Sequence, residues 1–178
     1  MFEHLIYICK NLQKKMQVVF KSCLFVILAS CAKEKVSITG AEANGVILAG
    51  KKGASKSWRL TKFNVSANGA APQPITIYAC NGDDVFKFSN NDNQDFEHND
   101  GSIKCNSTDP SIIENGSWAL TLNGTRLDLG LTVYTNSYLL GDLGPGSVTS
   151  LTEESMDLTF NQTASTNKYI LYLHFEKV

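Results

Sequence analysis

From Ser57 to the C-terminus of this 178-residue chain, apolar and polar side chains alternate, and this pattern most restricts its fold. A period of two places successive side chains on opposite faces of a β-strand. No long segment has the 3.6-residue period of an amphipathic helix, although a short helix fits near residues 74–80 or 109–114. The pattern therefore predicts half-buried antiparallel strands. The apolar positions of the alternating segments are Trp58 and Leu60; Phe86 and Phe88; Trp118, Leu120 and Leu122; Leu127, Leu129, Leu131 and Val133; Met156, Leu158 and Phe160; and Tyr169, Leu171, Leu173 and Phe175.

Turn signals separate these segments. Asn123-Gly124 is a strong hairpin signal, because both residues tolerate the positive φ that a type I′ turn requires. The polar residues 90–93 separate two further alternating segments in the same way. About eight strands joined by short turns predict an all-β fold, either an antiparallel up-and-down β-barrel or half-barrel, or a sandwich. The strand assignment between Leu131 and Val148 stays open, because this connection is long and glycine-rich.

The N-terminal segment resembles a bacterial lipoprotein signal peptide. Lys14, Lys15 and Lys21 precede the short apolar run 23–28, which is well below the roughly 20 residues of a membrane-spanning helix. The sequence Leu28-Ala29-Ser30-Cys31 that follows resembles a lipobox, the recognition sequence of lipoprotein signal peptidase. It predicts that residues 1–30 are removed and that Cys31 is lipidated. The signal peptide begins at Met1 or at Met16.

This interpretation divides the chain into a signal peptide (1–30), a lipid anchor with a flexible tether (31–54) and one β domain (55–178). It predicts a bacterial cell-envelope protein anchored by lipid to the outer membrane, on its periplasmic or its surface face. Residues 31–178 carry 12 Lys and Arg against 16 Asp and Glu. This acidic balance argues against a nucleic-acid partner, which would require a basic surface.

Only Cys80 and Cys105 remain in the body of the predicted mature chain. An even pair of cysteines in an oxidising compartment predicts a disulfide. The alternatives are two free buried thiols or a zinc site completed by His98 and His174. The second alternative lacks the ligand spacing of known zinc sites.

The order of several short motifs resembles the lipocalin-like domain family of secreted bacterial lipoproteins over about residues 55–178. The motifs are Lys56-Ser57-Trp58-Arg59-Leu60, Cys80 with Asp83-Asp84 and Phe86-Lys87-Phe88, Gly101 with Cys105, Asn115-Gly116-Ser117-Trp118, Ser150-Leu151-Thr152 with Met156-Asp157-Leu158, and a final alternating aromatic strand. The resemblance implies a small β-barrel or half-barrel, and most members have no assigned activity. Lipocalins open their barrel to a small apolar ligand.

The sequence predicts a protein that is not an enzyme, with no catalytic residues, no metal site and no cofactor. Asp83 and Asp84 would point to opposite faces of a strand, and a hydrolytic triad would have to converge around Asp84 or His98. The predicted inward residues either line a cavity for a small apolar or amphipathic ligand or fill the core; they are Trp58, Phe86, Phe88, Phe96, Trp118, Leu120 and Phe160. The alternative function is a structural or adaptor lipoprotein that contacts envelope proteins or surface glycans through Tyr134, Tyr138 and Tyr172.

Overall fold

The computed structural model describes residues 39–133, 140 and 143–178. The predicted signal peptide, Cys31, Tyr134 and Tyr138 lie outside these residues. The helices of the described part are α1 (Gly40–Ala49) and α2 (Ala79–Gly82). Its strands are β1 (Ser55–Ala67), β2 (Gln73–Pro74), β3 (Val85–Ser89), β4 (Asp95–Asn99), β5 (Ile112–Thr121), β6 (Arg126–Val133), β7 (Gly146–Leu151), β8 (Ser155–Ala164) and β9 (Asn167–Lys177).

Eight of these strands form a closed antiparallel barrel. The pairing order is β1-β3-β4-β5-β6-β7-β8-β9, and β9 pairs back with β1 from Trp58↔Lys177 to Ala67↔Tyr169. Strand β2 adds two pairs at the edge of β1. The predicted up-and-down barrel is therefore confirmed, and the half-barrel and sandwich alternatives are wrong. Each strand lies beside its neighbour in the sequence, apart from the closing pair.

Register shifts occur in four of the strand pairs of the barrel, and two of these have a clear structural consequence. The register between β1 and β9 shifts between Leu60 and Lys62, so that Phe63 faces the interior, as the change of phase in the sequence indicates. A second shift lies at Gly116 in β5, where a Cβ atom would come within 2.0 Å of the carbonyl oxygen of Gly130. Only glycine permits this close approach of β5 to β6.

Helix α1 covers one end of the barrel, called here the closed end. It begins with a capping box, in which the Thr39 side chain accepts from the amide of Glu42 and the Glu42 carboxylate accepts from the amide of Thr39. Leu48 and Ala49 are buried against the barrel. The expectation of a flexible tether is thus wrong for residues 40–49. These residues have little helical periodicity of their own, and their burial depends on the barrel end beneath them.

The β5–β6 hairpin lies where Asn123-Gly124 predicts it, but its loop is longer than a two-residue turn. Residues 122–124 form a turn in which all three φ angles are positive, at 48°, 57° and 87°, and Thr121 pairs with Arg126 across the loop. The loop also holds α1, because Asn123 Oδ1 accepts from the Gly40 amide at 2.9 Å and the Gly124 carbonyl accepts from Asn44 at 3.1 Å.

The other local predictions have mixed outcomes. The polar residues 90–93 lie in the β3–β4 hairpin, as predicted. The short helix α2 begins within residues 74–80, whereas the segment 109–114 leads into β5 instead. In the open region between Leu131 and Val148, β6 ends at Val133 and β7 begins at Gly146.

Candidate functional site

The predicted inward residues lie together inside the barrel. Six of them are buried in one apolar cluster, and Leu120 is partly buried at its edge. The rings of Phe88 and Phe96 lie 5.1 Å apart, and Phe88 meets Trp118 edge-on at 6.3 Å. These large side chains fill the closed end and the middle of the barrel; the six are Trp58, Phe86, Phe88, Phe96, Trp118 and Phe160.

The opposite end, called here the far end, has a different lining. Phe63, Leu131, Leu143 and Leu171 pack against the core but are only partly buried. Register places them away from α1, since Phe63 lies five residues beyond Trp58 along β1 and Leu171 pairs with Val65. The sequence prediction missed these residues as lining candidates, although the same period of two marks most of them. The far end therefore keeps apolar surface partly accessible.

Three ionisable side chains are buried on the β3–β5 side of the interior, and we call them the buried trio: Asp84, His98 and Glu114. Their exposed fractions are 2%, 2% and 0%. His98 Nδ1 lies 3.0 Å from Glu114 Oε2, and His98 Nε2 lies 3.1 Å from Asp84 Oδ2. The imidazole ring stacks on Phe86 at 4.1 Å. His98 pairs directly with Glu114 across β4 and β5, and Asp84 immediately precedes β3, the other neighbour of β4.

The geometry of the trio favours a protonated His98. Both ring nitrogens face carboxylate oxygens, and only the imidazolium form has two N–H donors. Burial would lower the pKa of His98, but the hydrogen bonds from His98 to Asp84 and Glu114, together with their negative charges, outweigh burial and raise it above its ordinary value. The hydrolytic triad considered above is not formed, because carboxylates occupy both nitrogens that could activate a nucleophile.

At the far end, a disulfide and two hydrogen bonds connect the segments next to the trio. Cys80 and Cys105 form the predicted disulfide, which joins α2 to the β4–β5 loop. Asp84 Oδ1 accepts from the Gly101 amide at 3.0 Å, and Asp83 Oδ2 accepts from the Ile103 amide at 2.9 Å. The Ile103 amide is the main cause that lowers the pKa of Asp83. The two adjacent aspartates thus both bind the same loop.

The outer surface carries a polar row across four strands. Register aligns Ser150 in β7, Asp157 in β8, His174 in β9 and Lys62 in β1. His174 Nδ1 lies 2.6 Å from Asp157 Oδ1. With Tyr172 in the next row, these residues line a shallow depression of about 390 Å³. A second depression, at the rim of the far end, is lined mainly by residues 161–163 and 168–170.

Two further findings concern metals and membranes. Within residues 39–133, 140 and 143–178, no group of three or more His, Cys, Asp or Glu side chains is arranged to hold a metal ion. In the same part of the chain, no helix is long and apolar enough to cross a membrane.

A closed eight-stranded antiparallel barrel with an aromatic interior and a helix over one end defines the class of lipocalin-like barrels. The comparison with protein families agrees: the lipocalin-like domain family matches residues 55–158, more than half of the chain, and the protein belongs to this family. The match begins at β1 and ends within β8, whereas the barrel continues through β9. A search of curated proteins gave no match.

Proposed function

We propose that this protein is a lipid-anchored, non-catalytic barrel of the bacterial cell envelope that binds a small apolar or amphipathic molecule at its far end. The observation that carries the proposal is the difference between the two ends. The closed end is filled by tryptophan and phenylalanine beneath α1, while the far end presents the partly exposed Phe63, Leu131, Leu143 and Leu171. Apolar lining with few polar groups is typical of small-molecule sites.

The lipobox supports the anchor, and the fold gives the anchored barrel an orientation. Only seven residues separate Cys31 from Thr39 in the sequence. Thr39 leads directly into α1, and Gly40 contacts the β5–β6 loop at the closed end. A lipid on Cys31 would therefore place the closed end next to the membrane and the far end away from it. Small apolar molecules in the surrounding compartment would then have access to the apolar lining.

Native mass spectrometry of the protein purified from its host tests ligand binding. We expect an additional mass that is released on unfolding and is lost from a Phe63→Glu variant, because a charge in the lining disfavours an apolar ligand. A Val46→Glu variant at the exposed face of α1 should keep the adduct. A protein that carries no adduct in lipid-rich extracts would contradict the binding proposal.

Anchoring needs its own test, since binding and anchoring are separable. Mass spectrometry of the N-terminal peptide should show acylated Cys31, and Cys31→Ser should move the protein from the membrane fraction to the soluble fraction. An unmodified Cys31 in a soluble protein would contradict the anchor without affecting the ligand site.

A second candidate is an adaptor that contacts a surface glycan, and the outer depression favours it. Tyr172 offers a ring for stacking, while Asn64, Asp157 and His174 offer donors and acceptors for hydroxyl groups. Glycan capture by the purified protein that is lost in Tyr172→Ala and kept in Phe63→Glu would favour this function. Cross-linking in intact cells that recovers no partner would weaken it.

A further inference from the structure

The buried trio has a property that ligand binding does not use: it needs one proton to be complete. With that proton on His98, the trio carries one net negative charge. Without it, two carboxylates face a neutral ring that can donate only one hydrogen bond. One ring nitrogen would then lie about 3 Å from a carboxylate oxygen with no hydrogen atom between them. In a buried site, such a polar contact without a hydrogen bond is unfavourable.

The β4–β5 loop places further charged groups beside the trio. Asp100 follows β4, and its side chain is 3% exposed; burial is the first cause that raises its pKa, and the negative charge of Asp84 is the second. Asp109 adds a further negative charge from the same loop. Lys104 is the cation next to Asp100, with its Nζ 3.5 Å from Asp100 Oδ2. On the apolar side, Phe86 stacks on His98 and meets Phe175 edge-on.

The trio is also connected mechanically to the far end. Asp84 binds His98 with one carboxylate oxygen and the Gly101 amide with the other. Any movement of Asp84 away from His98 therefore loosens the β4–β5 loop where it leaves β4. The disulfide between Cys80 and Cys105 limits how far this loop can move. The expected opening is thus local.

We propose that the buried trio is a pH-dependent closure of the barrel, in which one shared proton holds β3, β4 and the β4–β5 loop together and its loss at alkaline pH opens the far end on this side. The opening would expose the interior next to Phe86. This inference does not depend on the ligand or on the lipid anchor. It makes access to the barrel interior a function of pH.

The direction of the pH dependence follows from linkage. The pKa of His98 is raised in the closed state, and in the open state it returns toward about 6.5. The stabilisation from the proton is complete below the open-state pKa and is lost as the pH rises through the closed-state pKa. Between these two values, the equilibrium constant for opening rises by about tenfold for each pH unit, because one proton is released.

Hydrogen exchange of the full-length protein measures this opening. The Gly101 amide reports on the far end, and the Trp118 amide, which donates to the Gln94 carbonyl near the closed end, is the internal reference. After correction for intrinsic exchange, the protection factor of Gly101 should fall by up to about tenfold per pH unit above pH ~6.5. The protection of Trp118 should stay constant. A parallel fall at both amides would overturn the local opening, and a constant value at Gly101 would overturn the proposal.

A Glu114→Gln variant separates the proton from the fold. A glutamine amide can donate to His98 Nδ1 while His98 Nε2 donates to Asp84, so the variant keeps both hydrogen bonds with neutral histidine. We expect its Gly101 protection to change less than twofold between pH 6.5 and 9. The matched control is His174→Gln on the outer face, which should behave as the wild type. Persistence of the fall in Glu114→Gln would contradict the role of the shared proton.

Discussion

The indole nitrogen of Trp58 donates a 2.9 Å hydrogen bond to the carbonyl oxygen of Leu48. Both side chains are fully buried, so the bond joins the first strand of the barrel to the helix that covers it. Leu48 is in the last turn of α1, where carbonyl groups have no partner within the helix. Trp58 thus satisfies a buried helix end and fills the barrel beneath it.

This contact predicts that α1 is part of the folded domain and contributes to its stability. Leu48→Ala should lower the free energy of unfolding by about 2–5 kcal/mol, because it removes a fully buried side chain and leaves a cavity. Val46→Ala, on the 40% exposed face of the same helix, should change it by less than about 0.5 kcal/mol. Urea unfolding followed by tryptophan fluorescence measures both. Equal, small effects would show that the helix does not pack on the barrel in solution.

The disulfide should stabilise the far end by restricting the unfolded chain. Cys80 and Cys105 are 25 residues apart, and the chain-entropy model assigns about 3–4 kcal/mol to a loop of this size. The double variant Cys80→Ser/Cys105→Ser should therefore lose stability of this order in thermal unfolding. The wild type in excess reductant should match the variant. A reduced wild type as stable as the oxidised protein would contradict this contribution.

Gly101 should tolerate no side chain. A Cβ atom there would lie 2.2 Å from Asp83 Cγ, which itself is held by Ser102 and Ile103. Gly101→Ala should therefore displace Asp83 and lower the free energy of unfolding by about 1–3 kcal/mol. Gly82→Ala is the matched control, because its Cβ would meet Ile77 at an ordinary 3.6 Å. Similar melting temperatures for the two variants would show that the loop yields without strain.

Under the proposed function, the apolar side chains at the far end determine the affinity of the protein for apolar probes. Phe63→Ala should weaken binding of a fluorescent apolar probe by about tenfold, which corresponds to about 1.4 kcal/mol of lost contact. Val46→Ala should leave the affinity unchanged, because Val46 lies on α1 at the other end. Fluorescence titration with each variant measures the effect. Equal affinities would place the probe elsewhere on the protein.

Most of the barrel follows from local information. Alternation at Trp118–Leu122 and Met156–Phe160 marks strands with one face inward, and turn residues such as Asn123-Gly124 mark where neighbouring strands reverse. Because neighbouring strands pair in an up-and-down barrel, their order in space is their order in the sequence. The disulfide was predictable from the sequence as well, since residues 32–178 contain only two cysteines.

Helix α1 was missed although a local signal was present. Thr39 and Glu42 have the spacing of a capping box, which marks the start of a helix. The following residues are mostly small or weakly polar, and Gly45 has no side chain to reveal a buried face. The position of α1 is defined only by its contact with the barrel. There, the ring of Trp118 lies 3.6 Å from the position that a Cβ atom on Gly45 would occupy.

The sequence by itself determined the alternating strands of this protein, because a period of two is a property of each strand alone. It left a closed barrel, a half-barrel and a sandwich open, and the pairing of β9 with β1 decided between them. It could not determine that the side chains of Asp84, His98 and Glu114 meet in the interior, since these residues lie 14 and 16 positions apart and come together only in the folded sheet. Nor did it decide which end of the barrel is closed. Both depend on which surfaces face each other after the sheet closes, and that arrangement exists only in the folded chain.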